Sequence, residues 1–127
     1  MALGKIKADT LEHSTAGTVD TKYAVSGTVK VFYDSKTTFG TADKSFGLSS
    51  SSDAGTGQTG LSFTNAFDGP FYVAAGMLFD TDGSILNEQT LKVAGSCEIR
   101  SYGGLNGGGT ASAQDKDIEI MITGDLA

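Results

Sequence analysis

The stretch LSFTNAFDGPFYVAAGMLF, residues 61–79, contains a long apolar run directly after the only proline of the sequence. Its first half alternates apolar and polar residues, which is the pattern of a half-buried strand. From Phe71 to Phe79 almost every residue is apolar, so neither face of a strand built from this run would suit water. The run therefore predicts a β-strand that is covered on both faces.

The two faces of this predicted strand differ in side-chain size. The odd positions carry most of the large side chains, and the even positions include the small Ala74 and Gly76. We expect the odd positions to form a core face, where burial contributes about 1.5–3 kcal/mol per large side chain. The other face is covered either by a loop, as in a central strand of a sandwich, or by another subunit. The candidate interface residues of this strand are Phe71, Tyr72, Val73, Met77, Leu78 and Phe79.

Alternation with a period of two continues on both sides of this stretch. It runs through YAVSGTVKVFY (residues 23–33), LKVAGSCEIR (91–100) and DIEIMITG (117–124). SSSSDAGTGQTG, residues 49–60, is interpreted as a polar connection that no core could stabilise. Short strands with Gly-rich turns predict an all-β fold, a single antiparallel β-sandwich domain with jelly-roll-like topology over residues 23–127. On the strand LKVAGSCEIR, the residues expected to share an apolar face are Leu91, Val93, Cys97 and Ile99.

Residues 1–22 form a different kind of segment, because they hold few large apolar side chains. Such a segment cannot build a core of its own. We expect an extended N-terminal arm that either pairs as an edge strand or lies across a neighbouring subunit. Its candidate interface residues are Leu3, Ile6, Leu11 and Val19.

Charge and apolar content exclude several classes of partner. Nine basic and 15 acidic residues give a net charge of −6, which repels phosphate backbones and anionic lipids. We therefore expect no nucleic-acid and no membrane partner. The opening MALGKIKADTLEHS has no apolar core, which predicts that there is no signal peptide. We expect a chain that is made in a cytoplasm and stays there or in something assembled there.

The sequence offers no set of residues with the spacing of a catalytic, cofactor-binding or metal site. His13 is the only histidine and has no convergent partners, and the single Cys97 lies on an apolar strand face, where a thiol acts as a small hydrophobic group. DTDGS, residues 80–84, resembles the start of a calcium loop, but Leu91 stands where the closing acidic residue would be. GGLNGGG, residues 103–109, lacks the lysine of a phosphate-binding loop. We therefore expect a protein that is not an enzyme and needs no cofactor.

Two stretches resemble structural proteins of tailed phages, especially those of cyanophages and marine podoviruses. The first is KIKADTL, residues 5–11, followed by a polar stretch and the strand VSGTVKVF, residues 25–32. The second spans residues 35–76, and the whole resemblance covers residues 3–76. Residues of the second stretch that match the common pattern are Ser45, Phe46, Ser49, Ser50, Asp53, Gly55, Gly57, Phe63, Thr64, Ala66, Tyr72 and Gly76.

This resemblance implies a virion structural protein, with a virion location after assembly in the host cytoplasm. A tail fibre needs an attachment domain and a shaft, and this chain is too short for either, so we expect a capsid decoration (cement or knob) protein. Its partners would be the major capsid protein, or another virion protein, and copies of itself in a trimer or dimer. The alternative is a tail-fibre or tail-adaptor module that binds a host surface or another tail protein. That role needs exposed aromatic residues on loops, and the candidates are Tyr33, Phe67 and Tyr102.

Overall fold

The computed structural model describes residues 10–13, 17–21, 27–36, 38–79, 88–103 and 110–127. These residues form an all-β structure in which every pair of neighbouring strands is antiparallel. The strands are β1 (Thr10–His13), β2 (Gly17–Asp20), β3 (Val29–Ser35), β4 (Lys44–Phe46), β5 (Leu48–Gly55), β6 (Gln58–Phe63), β7 (Val73–Leu78), β8 (Glu88–Val93), β9 (Ser96–Arg100), β10 (Tyr102–Gly103), β11 (Ser112–Ala113) and β12 (Ile118–Thr123).

Two four-stranded sheets pack together to form the body. The first sheet has the strand order β4-β3-β12-β7, and the second has the order β5-β6-β9-β8. This arrangement confirms the predicted packing of antiparallel sheets, while the jelly-roll topology stays a prediction. The chain crosses from β4 in the first sheet to β5 in the second at Gly47, whose φ is +72°. A side chain at this position would overlap the Lys30 carbonyl oxygen.

The core lies between the inner faces of the two sheets. On β12 the alternation DIEIMITG is confirmed, because its three isoleucines are fully buried and the residues between them are not. The inner face of the second sheet comes from β6 and β9, and an aromatic group closes one end of the core. The buried apolar residues are Val31, Tyr33, Leu61, Phe63, Phe67, Tyr72, Cys97, Ile99, Ile118, Ile120 and Ile122.

The sequence predicted that the polar segment 49–60 is a connection, and this prediction was wrong. The segment is part of a β-hairpin. β5 pairs with β6 along its length, from Leu48 opposite Phe63 to Gly55 opposite Gln58. The prediction was wrong because β5 is the outermost strand of its sheet, so its serines face water while its backbone hydrogen-bonds to β6. A strand held by its neighbour needs no apolar face of its own.

The predicted common face of the strand 91–100 was also wrong. Cys97 is buried, but Leu91 and Val93 are about half exposed. A two-residue turn, Ala94–Gly95, sets Val93 opposite Ser96 and Lys92 opposite Cys97. Because residues directly opposite each other share a face, Val93 lies on the face of Ser96 and not on the face of Cys97 in the part of β8 next to the turn. The turn therefore reverses the phase of the pattern.

Residues 71–79 were assigned the wrong face by the alternation argument. β7 is the outermost strand of the first sheet, not a central one. Phe71, Val73 and Met77 face outward and are 86%, 63% and 68% exposed, whereas Tyr72 is only 2% exposed. Both faces of the run are apolar, so side-chain size was the only guide to its orientation, and it pointed the wrong way.

The predicted arm contains a hairpin in the part that the structure describes. Leu11 of β1 lies opposite Val19 of β2, and this two-stranded sheet is separate from the two main sheets. Leu3 and Ile6 lie outside the described residues. An extended arm therefore stays a prediction.

Candidate functional site

The outer face of the first sheet carries a continuous row of apolar side chains. Pairing of the four strands places Phe46 of β4, Phe32 of β3, Met121 of β12 and Ala75 of β7 in successive cross-strand positions. Val73 and Met77 stand on either side of Ala75 along β7 and point the same way. We call these six residues, Phe32, Phe46, Val73, Ala75, Met77 and Met121, the outer apolar face.

Much of the outer apolar face is exposed to solvent in the single chain. Phe46 and Met121 are about half exposed, and the rings of Phe46 and Phe32 stack with their centroids 6.0 Å apart. Single exposed apolar residues are ordinary on protein surfaces, whereas contiguous apolar patches mark sites where another molecule binds. The cross-strand row makes this group contiguous.

Charged side chains border the outer apolar face on one side. In the next cross-strand row, Lys44, Asp34 and Glu119 lie opposite one another, in line with Met77. Lys36 Nζ lies 3.6 Å from Asp34 Oδ2 and 3.3 Å from Glu119 Oε1. The hydrogen bond to Glu119 is the main reason why the pKa of Lys36 is raised. An apolar centre with a charged border is the usual composition of a protein interface.

At the end of β7 the apolar and charged parts meet. The Lys36 ammonium lies 4.5 Å from the centre of the Phe79 ring, which faces outward like Met77. At the other end, Phe71 stands almost bare beside Gly69. The outward-facing series from Phe71 to Phe79 thus begins and ends with an aromatic ring.

Tyr72 belongs to the core, although the sequence placed it among the interface residues. Its hydroxyl shares its one proton between the carbonyl oxygens of Val93 and Ser96, at 3.1 and 2.9 Å, and so links the residue before β7 to the second sheet. The Lys92 ammonium contacts the Tyr72 carbonyl oxygen and lies 4.5 Å from the ring centre. Leu78 also packs against the core.

The predicted strand interface therefore separates into two groups. Phe71, Val73, Met77 and Phe79 face solvent, and Tyr72 and Leu78 face inward. In the arm, Leu11 is half exposed.

Sequence reasoning missed Phe32, Phe46 and Met121. The available signal was weak but present, since Met121 and Phe32 occupy the outward positions of strands that otherwise alternate apolar and polar residues.

The structure describes only some of the remaining candidate residues. Cys97 is buried, and desolvation raises the pKa of its thiol to about 11, the opposite of what a nucleophile needs. The backbone of His13 pairs with Gly17, and residues 80–84 and most of the loop 103–109 lie outside the described residues. Among the residues that are described, no cluster of three or more His, Cys, Asp or Glu side chains has the arrangement of a metal site.

A shallow groove lies between the 38–43 loop and β5. Its volume is about 250 Å³, and its lining has hydroxyl and apolar groups but no titratable side chain. General acid–base chemistry has no donor or acceptor there with a suitable pKa. The lining residues are Thr41, Ala42, Ser45, Leu48, Ser49, Ser50 and Ser51.

Comparisons with protein-family models, with curated proteins and with solved structures find no match for this chain. Within the part of the chain that the structure describes, no helix combines the length and apolar character required to cross a membrane.

Proposed function

We propose that this protein is a bacteriophage virion structural protein, and specifically a capsid decoration protein that binds and stabilises the assembled shell. The observation that carries this proposal is the outer apolar face, a solvent-exposed apolar row across all four strands of one sheet. The resemblance of residues 3–76 to phage structural proteins supports the choice of assembly.

The geometry of the outer apolar face suits docking on a large partner. Its side chains stand on paired strands, so little conformational freedom is lost when a partner covers them. Each large apolar side chain that becomes buried contributes about 1.5–3 kcal/mol. The exposed Lys36 and the partly exposed Glu119 at the border would orient the partner without burying charge at the centre, while Asp34 is itself buried and pairs with Lys36.

Stabilisation of the shell would follow from mass action. A protein that binds the assembled lattice but not free capsid subunits lowers the free energy of the lattice by an amount that grows with its own concentration. The predicted arm would add contacts through Leu3, Ile6, Leu11 and Val19. Of these, Leu11 is half exposed and available for such a contact.

The alternative function, a tail-fibre or tail-adaptor module, required exposed aromatic residues on loops. Tyr33 and Phe67 are buried, which leaves the partly buried Tyr102 from the original set. Phe71, which the sequence did not suggest for this role, is the exposed aromatic residue that a receptor-binding loop would use. The burial of Tyr33 and Phe67 removes two of the three original candidates, so the alternative would depend on Phe71 and Tyr102.

The test is the number of copies of this protein in a purified virion, measured by quantitative mass spectrometry relative to the major capsid protein. Hundreds of copies are expected for a decoration protein. A few copies, or a few tens, would contradict the decoration role and favour the tail.

A pair of matched variants tests whether the outer apolar face makes the contact. Phe46→Ser with Met121→Ser removes two half-exposed apolar side chains from this face, and Leu91→Ser with Val93→Ser removes two from the second sheet. Particles lacking the protein would be incubated with each variant, and the bound amount measured after sedimentation. We expect weaker binding for the first variant alone, and equal losses would contradict the assignment.

A further inference from the structure

The two main sheets end in four outermost strands, and three of them carry features that discourage pairing with another chain. Exposed edges are protected in natural proteins by short strands, bulges or charges that face inward. β4 has only three residues, and β5 has register shifts at Leu48/Ser50 and Asp53/Gly55. β8 has a shift between Gln89 and Lys92, and its Lys92 points inward.

β7 has none of these protections. It has six residues without charge, and its pairing with β12 runs from Val73 to Leu78 without a register shift. Among the strands that the structure describes, none pairs with its other edge. β7 is therefore the edge most suited to pairing with another strand.

The sequence around β7 is complementary to itself when reversed. In FYVAAGMLF, residues 71–79, antiparallel pairing about Ala75 places Phe71 opposite Phe79 and Val73 opposite Met77. On the other face it places Ala74 opposite Gly76. Large side chains thus meet large ones and small meet small, and aromatic or aliphatic cross-strand pairs of this kind stabilise sheets.

Hydrogen bonding within the first sheet sets which backbone groups are open. Phe79 N–H donates to the Asp117 carbonyl oxygen, 3.0 Å away, so the backbone groups of odd residues point toward β12. The alternate residues Ala74 and Gly76 then point their N–H and C=O groups to the open edge. In a pairing centred on Ala75, Ala74 would exchange backbone hydrogen bonds with Gly76 of a second copy, and Gly76 with Ala74 of that copy.

The same geometry explains a small residue at the centre. Ala75 would face its counterpart in a pair without mutual hydrogen bonds, where opposite side chains come closest. The ladder would be short, because the Lys92 ammonium already contacts the Tyr72 carbonyl oxygen.

We propose that two copies of this chain form a dimer by antiparallel pairing of β7 with β7, with the two-fold axis at Ala75. Such an interface uses the same patch on both copies and closes on itself. It joins the two first sheets into one eight-stranded sheet and places two outer apolar faces side by side. The proposal goes beyond shell binding and does not depend on it.

Exposed area sets the expected strength of this dimer. A bare Phe side chain offers on the order of 200 Å², so the exposed parts of Phe71, Val73 and Met77 amount to on the order of 400 Å² per copy. A standard stable interface buries about 800 Å² per partner. We therefore expect a dissociation constant in the micromolar range, which sedimentation over a concentration series measures directly.

The first experiment is analytical ultracentrifugation of the full chain, of Ala75→Lys and of Ala54→Lys. Ala75 and Ala54 are both exposed alanines on outermost strands, at opposite edges of the body. Ala75→Lys would place two ammonium groups together at the axis and raise the dissociation constant at least about 100-fold. Ala54→Lys is expected to dimerise like the parent. A parent chain that stays monomeric up to millimolar concentration, or that forms a trimer, would overturn the proposal.

The second experiment tests the register by disulfide formation. Ala75→Cys brings two thiols together at the axis, within the Cα separation of about 4.4–6.8 Å that a disulfide spans. Val73→Cys faces Met77 of the second copy instead, and its two thiols lie too far apart. The only native cysteine, Cys97, is buried and does not compete. Oxidation should yield covalent dimer for Ala75→Cys and none for Val73→Cys, and the reverse result would overturn the register.

These readouts are separate from those of the shell-binding proposal. Dimerisation is measured on the isolated protein, without any particle. A monomer that still binds particles overturns the β7 pairing alone, and a dimer that is absent from virions overturns the decoration role alone.

Discussion

The two main sheets have similar inner faces, and their outer faces differ in how far the apolar side chains form a continuous row. Inside, both present apolar side chains at alternate positions, with isoleucines on β12 and Leu61, Cys97 and Ile99 on β6 and β9. Outside, the first sheet presents the outer apolar face. On the second sheet, the cross-strand pairs of β6 and β9 that face outward are Gln58 with Arg100, Gly60 with Glu98, and Ser62 with Ser96.

This contrast separates what folding requires from what it does not. Inner faces must be apolar because their burial drives folding. The β6–β9 pair demonstrates, within the same molecule, that outward residues of serine, glycine and charged types are sufficient for a stable strand pairing, although Leu91 and Val93 of the neighbouring β8 are about half exposed. The apolar outer face of the first sheet therefore needs another explanation, and contact with a partner supplies one, since such a surface otherwise promotes aggregation.

The largest expected effect comes from an inner-face substitution on β12. Ile120 is fully buried between its neighbours on β3 and β7. Ile120→Ala leaves a cavity and should lower the free energy of unfolding by about 2–5 kcal/mol, measured by urea denaturation. A loss much smaller than this would show that the inner face of the first sheet is not the core.

The inner face of the second sheet can be tested through pH. Burial raises the pKa of Cys97 to about 11, whereas an unfolded thiol ionises at about 8.5. Below about pH 8 the Cys97 thiol is largely protonated in both the folded and the unfolded state, so its contribution to the free energy of unfolding is present in full. As pH rises toward 11 the unfolded state loses its proton first, so stability falls by up to about 3 kcal/mol.

Other groups also titrate in this range, so Cys97→Ala serves as the reference. Its stability should fall less steeply between pH 8 and 11 than that of the parent, measured by urea denaturation in the presence of a reductant. Equal slopes for the two proteins would contradict a buried, neutral thiol.

A smaller effect is expected where the two sheets are joined at one end. Tyr72→Phe removes the hydroxyl that donates to the carbonyl oxygens of Val93 and Ser96, and should cost about 1–2 kcal/mol of unfolding free energy. Tyr33→Phe is the matched control, because the Tyr33 hydroxyl is buried near Ser35 but makes no well-aligned hydrogen bond to the described residues. Its removal should change stability by less than about 0.5 kcal/mol. Thermal and urea unfolding measure both variants, and an equal loss of unfolding free energy in the two would contradict the bridging role of Tyr72.

How far the sequence predicted this structure depends on how much each strand's pattern constrains it. The prediction of the buried face of β12 was confirmed, because its isoleucines all lie on one face of the strand. β5 was missed because an outermost strand takes its hydrogen bonds from β6 and needs no apolar residues. The phase of β8 against β9 depended on a two-residue turn, whose length cannot be read from a hydrophobic pattern.

The sequence predicted only part of the outer apolar face, because only part of that face lies in a segment with a distinctive pattern. Val73 and Met77 were singled out because the run 71–79 is too apolar for a strand that faces water. Phe32 and Phe46 were missed because they are distant in the sequence and become neighbours of Met121 only through strand register. Pairing register is a tertiary property, and no single segment contains it.

The smallest expected effect on stability comes from the centre of the outer apolar face. Met121 is 51% exposed and Val93, on the outer face of the second sheet, is 47% exposed. Both Met121→Thr and Val93→Thr should change the unfolding free energy by less than about 0.5 kcal/mol, because threonine suits an exposed strand position. The two variants should differ in their binding of the dye ANS, which reports exposed apolar surface. Met121→Thr interrupts the cross-strand row and should lower ANS fluorescence, while Val93→Thr removes a side chain outside that row and should leave it nearly unchanged. Equal fluorescence in the two variants would mean that the six residues do not act as one surface, and the contrast between the outer faces would then carry no functional meaning.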